Sequence, residues 1–305
     1  MEQAGMTEGM DMYLMHRIEE LSRTSNDAQR AICDFILREH ASISDFTIAD
    51  IAEATFTSKS SVTRFAKALG YPGWREFIRD FIHEEGQEAL HVADVDPNFP
   101  FAAGDSDMAI AEKLGNLSSE TIAETFSQID RGMIAAAVRS MKAARAIYVF
   151  GLSPHSYVAG LFCRKLISIG KPAQVVPYGE YGLFARSLGP EDCAFLISYS
   201  GNNPDEHPMR DIPILKANKV HLVGITSAGP NYLRQNISCV LTLASRERLY
   251  SKIANFATEE SLNYLLNLLF SCFFAEDYKT NLARKLEGSQ ALEGARKTVL
   301  RELEG

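Results

Sequence analysis

Residues 57–79 read TSKSSVTRFAKALGYPGWREFIR and gather Lys59, Arg64, Lys67, Arg75 and Arg79 against a single acid, Glu76. Five cations less one acid leave +4 on this stretch, within a chain whose formal net charge is -8. Val62, Phe65, Ala66 and Leu69 fall at i, i+3, i+4 and i+7, the spacing of one buried helical stripe. Lys59, Ser60, Ser61, Thr63, Arg64 and Lys67 take the rest of the surface, most of them near the amino end, and Thr57 or Ser58 can cap it. Just upstream, Thr47-x-x-Asp50 has the form of a capping box and opens a shorter helix that ends in a tight turn at 54–57.

Two short helices joined by a tight turn, the second with a small-polar and cationic face, are laid out as a helix-turn-helix. Small Ser and Thr side chains let a backbone approach base edges, while Lys59 or Arg64 reaches guanine or phosphate. Trp74, Arg75 and Arg79 lie just beyond and are expected to flank the DNA backbone. A merely solvated amphipathic helix has a similar pattern, and the net charge favours the DNA-binding reading.

Working outward, residues 11–90 pattern as helix throughout. Asn26 to His40 carries Ala28, Ala31, Ile32, Phe35 and Ile36 on one face, and Gly70 and Pro72 separate the cationic helix from another running from Trp74 to about Glu85. Residues 92–107 lose periodicity and gather Pro97, Pro100, Gly104 and several aspartates, which predicts a linker. Helical patterning returns over 108–144. From Ala146 onward AIYVF, AQVVP, CAFLIS, VHLVGIT and SCVLTL are short apolar runs separated by helical segments or turns. That alternation predicts a doubly wound, five-stranded parallel sheet covered on both faces. The fold class is therefore an all-α helix-turn-helix domain followed by an α/β domain. The expected boundaries are 1–91 for the helical domain, 92–107 for the linker and 108–305 for the α/β domain with flanking helices.

The 305 residues, 46% hydrophobic and 23% charged, suit a globular protein of two domains and argue against one that coats nucleic acid or anionic membrane with its whole surface. The five cysteines, Cys33, Cys163, Cys193, Cys239 and Cys272, are dispersed, with no C-x-x-C pair and no Cys/His cluster at ligand spacing. They read as buried thiols in a reduced compartment, with neither structural metal nor disulfide framework. No secretory signal pattern opens the chain. The longest uncharged run, SLNYLLNLLFSCFFA over Ser261 to Ala275, is 15 residues and too short to span a bilayer. Asn263, Asn267 and Ser271 draw one polar stripe along it, which fits a core or subunit-interface helix. A cytoplasmic protein with no membrane partner is expected.

The carboxyl ends of three expected strands are rich in hydroxyls: GLSPHS with Ser153, His155 and Ser156, YSGNNPDE with Ser198, Ser200, Asn202 and Asn203, and Thr226 with Ser227. Pro154 and Pro204 suit first helical positions, which would make Ser153 a cap. One such loop is ordinary capping chemistry. Three at strand ends point to a site for a polar, phosphorylated ligand, where helix amino ends offer free N–H groups to anions.

The stretch TIADIAEATFTSKSSVTRFAKALGYPGWREF resembles the helix-turn-helix signature of the RpiR family of bacterial transcription regulators, notably at Ile48, Ala52, Ser58, Val62, Arg64, Phe65, Leu69, Gly70, Tyr71, Gly73 and Phe77. The resemblance implies that Thr47, Ser58, Lys59, Ser60, Ser61, Thr63, Arg64, Lys67 and Arg75 form the DNA-binding surface. That family carries a SIS (sugar isomerase) domain, which residues 130–277 resemble. SYSG is similar to the second sugar-phosphate loop of that domain, which implies Ser198 and Ser200 as phosphate ligands, with Asn203 where the family has threonine. The first loop departs further. The family's G-x-G-x-S would place its second glycine at Ser153 and its serine at His155, whose charge when protonated can complement a phosphate or carboxylate.

Glu259 and Glu260 lie near where SIS isomerases carry a catalytic glutamate, and His207 and His221 are other bases in the region. Acids in the first turn of a helix are also stabilised by its dipole, and nothing in the sequence pairs these groups with a partner. No Walker loop, G-x-S-x-G or H-E-x-x-H is present. The resulting expectation is a non-enzymatic regulator with no cofactor and no metal, dimeric or tetrameric. It would bind an operator in double-stranded DNA and sense a phosphorylated sugar or related carbohydrate derivative through Ser153, His155, Ser156, Ser198, Ser200, Asn202, Asn203, Thr226, Ser227 and Glu259. The alternatives are a SIS-type sugar-phosphate isomerase and a constitutive DNA-binding protein with a silent SIS domain.

Overall fold

A computed structural model describes residues 14–90 and 95–293. The chain divides into two units, one drawn from residues 1–126, 227–231 and 244–260, the other from 127–226, 232–243 and 261–305.

The first unit is built on α1 (Leu14–Thr24), α2 (Asp27–Glu39), a 3-10 turn (His40–Asp45), α3 (Ile48–Ala54), α4 (Lys59–Ala68) and α5 (Trp74–Leu90). Local chemistry sets each start. Asn26 accepts a hydrogen bond from the Gln29 N–H, Thr47 and Asp50 form a complete capping box, and Ser58 accepts from the Ser61 N–H. The cap of the cationic helix is therefore Ser58. Gly70, with φ 83, takes the left-handed turn that follows α4. Ile18, Ile32, Ile36, Ile51, Val62, Phe65, Phe77 and Phe81 make the core of this bundle. The helix expected to stop near Glu85 runs on to Leu90, since Gly86 is tolerated in a helix interior at a cost of about 1 kcal/mol.

Residues 95–106, within the expected linker, are irregular but packed. Val95 is buried against Leu117, Ala257 and Phe256, and Asn98 is 6% exposed. Asn98 accepts from the Ile253 N–H through its backbone carbonyl and from the Arg248 N–H through its side chain. The helix α6 (Asp107–Ser127) follows.

Residues 244–260 also pack into this unit, an arrangement the sequence did not reveal. The Glu19 carboxylate on α1, 3% exposed, accepts hydrogen bonds from the backbone N–H groups of Leu249 and Ser251. The Arg23 guanidinium lies 5.3 Å from the Tyr250 ring centroid, and Arg248 bonds His40 Nε2 at 2.8 Å.

The second unit opens with α7 (Arg131–Ala143) and a sheet of β1 (Ala146–Gly151), β2 (Ala173–Val175), β3 (Asp192–Ile197), β4 (His221–Ser227) and β5 (Val240–Leu243), ordered β2-β1-β3-β4-β5. The β1–β2, β1–β3 and β3–β4 pairs are parallel. The helices between and after them are α8 (His155–Ile167), α9 (Tyr181–Ser187), α10 (Ile212–Ala217), α11 (Tyr232–Asn236), α12 (Phe256–Glu276) and α13 (Tyr278–Glu293). Every residue of the central β3 is buried, which is why its sequence is continuously apolar from Cys193 to Ile197 rather than alternating. Gly224 admits α11 against β4, since a Cβ there would come within 2.3 Å of Leu233 Cδ2. On α12, Leu262, Leu265, Leu266 and Leu269 are buried, and the polar stripe is used: Lys165 donates to Asn267, which donates to Asn263.

One expected cap and one expected helix start are absent. The helix after β1 starts at His155 with Pro154 at its cap position and no side-chain cap bond; the Ser156 N–H is taken by the Leu152 carbonyl, leaving Ser153 outside the helix. No helix starts at Pro204 either. Left-handed Gly201 (φ 63) and Asn203 (φ 60) turn the chain there, and helix resumes only at Met209.

Candidate functional site

The helix-turn-helix is formed by α3 and α4. Their connection is closed by the Thr57 N–H donating to the Ala52 carbonyl and by the Thr55 and Thr57 hydroxyls, 2.9 Å apart. Val62, Phe65 and Ala66 hold α4 to the core and leave Lys59, Ser60, Arg64 and Lys67 exposed on its outer face. Several of the expected DNA-contacting groups already have local tasks. The Thr47 hydroxyl donates to Asp50, Ser58 Oγ lies 2.7 Å from Ser60 Oγ and 2.9 Å from Ser61 Oγ, and the Thr63 hydroxyl donates to the Lys59 carbonyl. Arg64 donates to Ser61 Oγ at 3.1 Å, which lays its guanidinium along the helix surface. Arg75 is exposed at the start of α5.

Trp74 does not join this surface. Its ring is 7% exposed and packs 5.2 Å from Phe77 and 6.4 Å from Phe65, because burying the indole is worth more than leaving it in water. Arg79 is engaged by Asp80 at 2.9 Å. One residue of the turn went unnoticed in the sequence: Phe56 has φ 53 and is 98% exposed.

In the second unit the strand order reverses between β1 and β3, and their carboxyl ends, Gly151 and Ile197, are register partners. Such a switch point opens a crevice beyond the strand ends. The first loop enters it closely: a Cβ on Gly151 would sit 3.4 Å from Ile197 Cβ and 3.8 Å from His155 Cβ. Ser153 is exposed, while His155 and Ser156 are half-buried in the first turn of α8. In the second loop Ser198 Oγ accepts from the Gly201 N–H at 3.2 Å and Ser200 Oγ from the Asn202 N–H at 3.5 Å. Asn202 accepts from the Tyr232 N–H and Asn203 from the Asp205 N–H. The loop is thus shaped by the same hydroxyls and amides that the sequence nominated as ligands. Thr226 is fully buried and donates to the Tyr199 carbonyl at 3.1 Å, so its proton holds β4 to this loop.

Ser227 and Glu259 belong to the first unit. Burial raises the Glu259 carboxyl above its ordinary range, the Glu247 charge adds to this, and Lys252 opposes it. Glu247, fully buried, accepts from the Ala257 N–H, the Thr258 hydroxyl and Lys252 Nζ. Sequence reading missed this carboxylate, which sits in an unremarkable SRER run.

It also gave no partner to His207. In the structure His207 Nδ1 lies 2.6 Å from Asp211 Oδ2, an i, i+4 pair readable in HPMRD. His221 instead lies at the amino end of β4, away from the strand carboxyl ends. All five cysteines are unbridged, and burial pushes the thiols of Cys33, Cys163 and Cys193 up to about 12. Among the described residues, no cluster of His, Cys, Asp and Glu is placed to hold a metal ion, and no helix is long and apolar enough to cross a membrane.

Two family models match this architecture: the rpiR-family helix-turn-helix domain over residues 12–88, and the SIS domain over residues 140–262. The regulator YfhH of Escherichia coli K12 is 25% identical over 283 residues, covering 90% of this chain and 96% of its own. HexR of Pseudomonas aeruginosa is 24% identical over 231 residues, covering 74% and 76%. Among solved structures, Vibrio vulnificus NanR in complex with ManNAc-6P superposes with a TM-score of 0.59 at 20% identity, over 93% of this chain and 100% of that one. The sugar isomerase domain of an RpiR transcription factor from Sphaerobacter thermophilus gives 0.51 at 19% identity, over 59% and 98%. With both matched segments falling on the two halves described above, the chain is a member of the RpiR family of transcription regulators, a helix-turn-helix joined to a SIS domain.

Proposed function

We propose that α4 and the start of α5 bind an operator in double-stranded DNA, and that the switch-point loops of the SIS domain bind a phosphorylated sugar or related carbohydrate derivative that alters DNA affinity. The observation that carries this reading is the union, in one chain, of an exposed cationic recognition helix with hydroxyl-lined loops at a strand-order reversal. Lys59, Arg64, Lys67 and Arg75 contact phosphates or guanines, with Ser60 and Thr63 against base edges and Ser58, Ser61 and Thr47 ordering the helix that presents them. Ser198, Ser200 and Asn202 surround the phosphate, with Ser153, His155, Ser156 and Asn203 around the sugar. That NanR was solved with ManNAc-6P supports the ligand class. The protein acts as a dimer or tetramer in the cytoplasm, matching two-fold operator symmetry.

The test selects binding sites from a random DNA library with the wild-type protein and with Lys59→Ala/Arg64→Ala, then adds sugar phosphates to the selected complex. Enrichment of one sequence by the wild type alone, with an affinity that changes on adding a sugar phosphate and not the free sugar, is expected. Enrichment without any effector response would leave a constitutive DNA-binding protein. Glu259, held above its ordinary range, is the observation that favours an isomerase instead. Aldose–ketose turnover that disappears in Glu259→Gln would establish that reading.

A further inference from the structure

His207 lies at the end of the loop that follows β3, and its surroundings single it out. Nδ1 is 2.6 Å from Oδ2 of Asp211, whose side chain is 2% exposed. A buried carboxylate needs a partner, and this one has the imidazole. The ring stands edge-on to Tyr181, with centroids 5.2 Å apart and planes at 89°. Tyr181 is itself 1% exposed, and its hydroxyl reaches the backbone of Gly151, the residue that ends β1 and pairs with Ile197. Contacts therefore run without a break from Asp211 through His207 and Tyr181 to the strand ends at the switch point.

The two ring nitrogens differ in consequence. Asp211 accepts the Nδ1 proton in either protonation state, so the tautomer and the ring plane are both fixed. Nε2 has no hydrogen-bond partner among the described residues, and the side chain is 34% exposed. The fixed ring thus keeps one polar atom available on a part-exposed side chain whose ring neighbour, Tyr181, reaches the end of β1. Neutral, Nε2 accepts a hydroxyl proton; protonated, it donates to an anionic oxygen.

We propose that His207 is a ligand-binding residue of the SIS domain, with Asp211 as its positioning residue, and that Nε2 bonds an oxygen of the sugar portion of the effector. The inference rests on the sugar-phosphate reading above and adds a specificity element to it. The serines hold the phosphate, which all candidate ligands share, and His207 reads the part in which they differ.

Asparagine and glutamine separate the two nitrogens, because the Asn amide nitrogen overlays Nδ1 and the Gln amide nitrogen overlays Nε2. Titration calorimetry of the full-length wild type, His207→Asn, His207→Gln, Asp211→Asn and Ser198→Ala/Ser200→Ala would use N-acetylmannosamine 6-phosphate, glucosamine 6-phosphate, glucose 6-phosphate, 6-phosphogluconate and inorganic phosphate. Thermal melts of each variant control for folding. For the best-bound sugar phosphate, His207→Asn is expected to weaken binding about tenfold, the value of one good hydrogen bond, with His207→Gln recovering most of it. Any inorganic phosphate binding should be unaffected by His207→Asn and lost in the double serine variant. Unchanged sugar-phosphate affinity in His207→Asn, with loss in the serine variant, would overturn the role of His207 and leave the effector reading standing. If no sugar phosphate bound the wild type, both would fall.

Discussion

Phe56 occupies a left-handed backbone position with its ring 98% in solvent. A Cβ in that conformation costs about 1–2 kcal/mol, and an exposed ring returns little of it through burial. Phe56→Gly is therefore expected to raise the unfolding free energy by about 1 kcal/mol, read as a higher urea midpoint, after allowing for the larger unfolded-state entropy of glycine. A lower midpoint would mean that the ring packs on something after all. Glu19 makes a different kind of prediction. Burial holds its carboxyl above the ordinary range, with the Leu249, Ser251 and Tyr250 backbone donors pulling the other way. The folded state then takes up a proton at higher pH than the unfolded state, so stability rises as pH falls through the raised value and levels off below the unfolded one. Denaturation followed from neutral pH down into the ordinary carboxylate range should show that gain in the wild type and its loss in Glu19→Gln. None of this was legible in the residues themselves. Phe56 owes its strain to the turn, and Glu19 owes its burial to a segment about 230 positions away.

At the scale of elements, α4 was readable because its two demands fall on separate faces, apolar residues at helical spacing and cations elsewhere. The strands were readable because a sheet covered on both faces admits few polar residues. The sequence could not show which cations are already occupied. With Arg79 on Asp80, the exposed cations left in this region are Lys59, Arg64, Lys67 and Arg75. Four phosphate contacts would give a salt slope of log K against log salt of about -3.6 per bound subunit, and removing Lys59 and Arg64 should flatten it by about 1.8. A slope unchanged in the double variant would mean that α4 is not at the backbone. The same ambiguity affected the loops. Composition marks the loop of Ser198, Ser200 and Asn202 as polar and the SIS resemblance implies the two serines as phosphate ligands, while the structure gives each of the three an internal bond that shapes the turn, a role that neither signal separates from ligand binding. Ser153 failed as a cap because a backbone carbonyl already serves the first turn of α8.

For the molecule as a whole, order along the chain and assembly in space part company. The helical unit includes residues 244–260, which leave the sheet after β5 and return to it through α12. A fragment of residues 1–91 would retain Glu19 without the amides of Leu249 and Ser251. Unfolding of that fragment is expected to need about 1–3 kcal/mol less than unfolding of the same helices in the full chain. Equal stability would mean that those bonds are replaced by water at no cost. The geometry at Glu19 also supplies a means of timing. The two amides donate to a side chain rather than to a ladder or a helix, so their exchange with deuterium should record the rate at which α1 lets go of this segment. Measured with and without DNA or sugar phosphate, those two protons would act as a clock set into the protein by its own sequence.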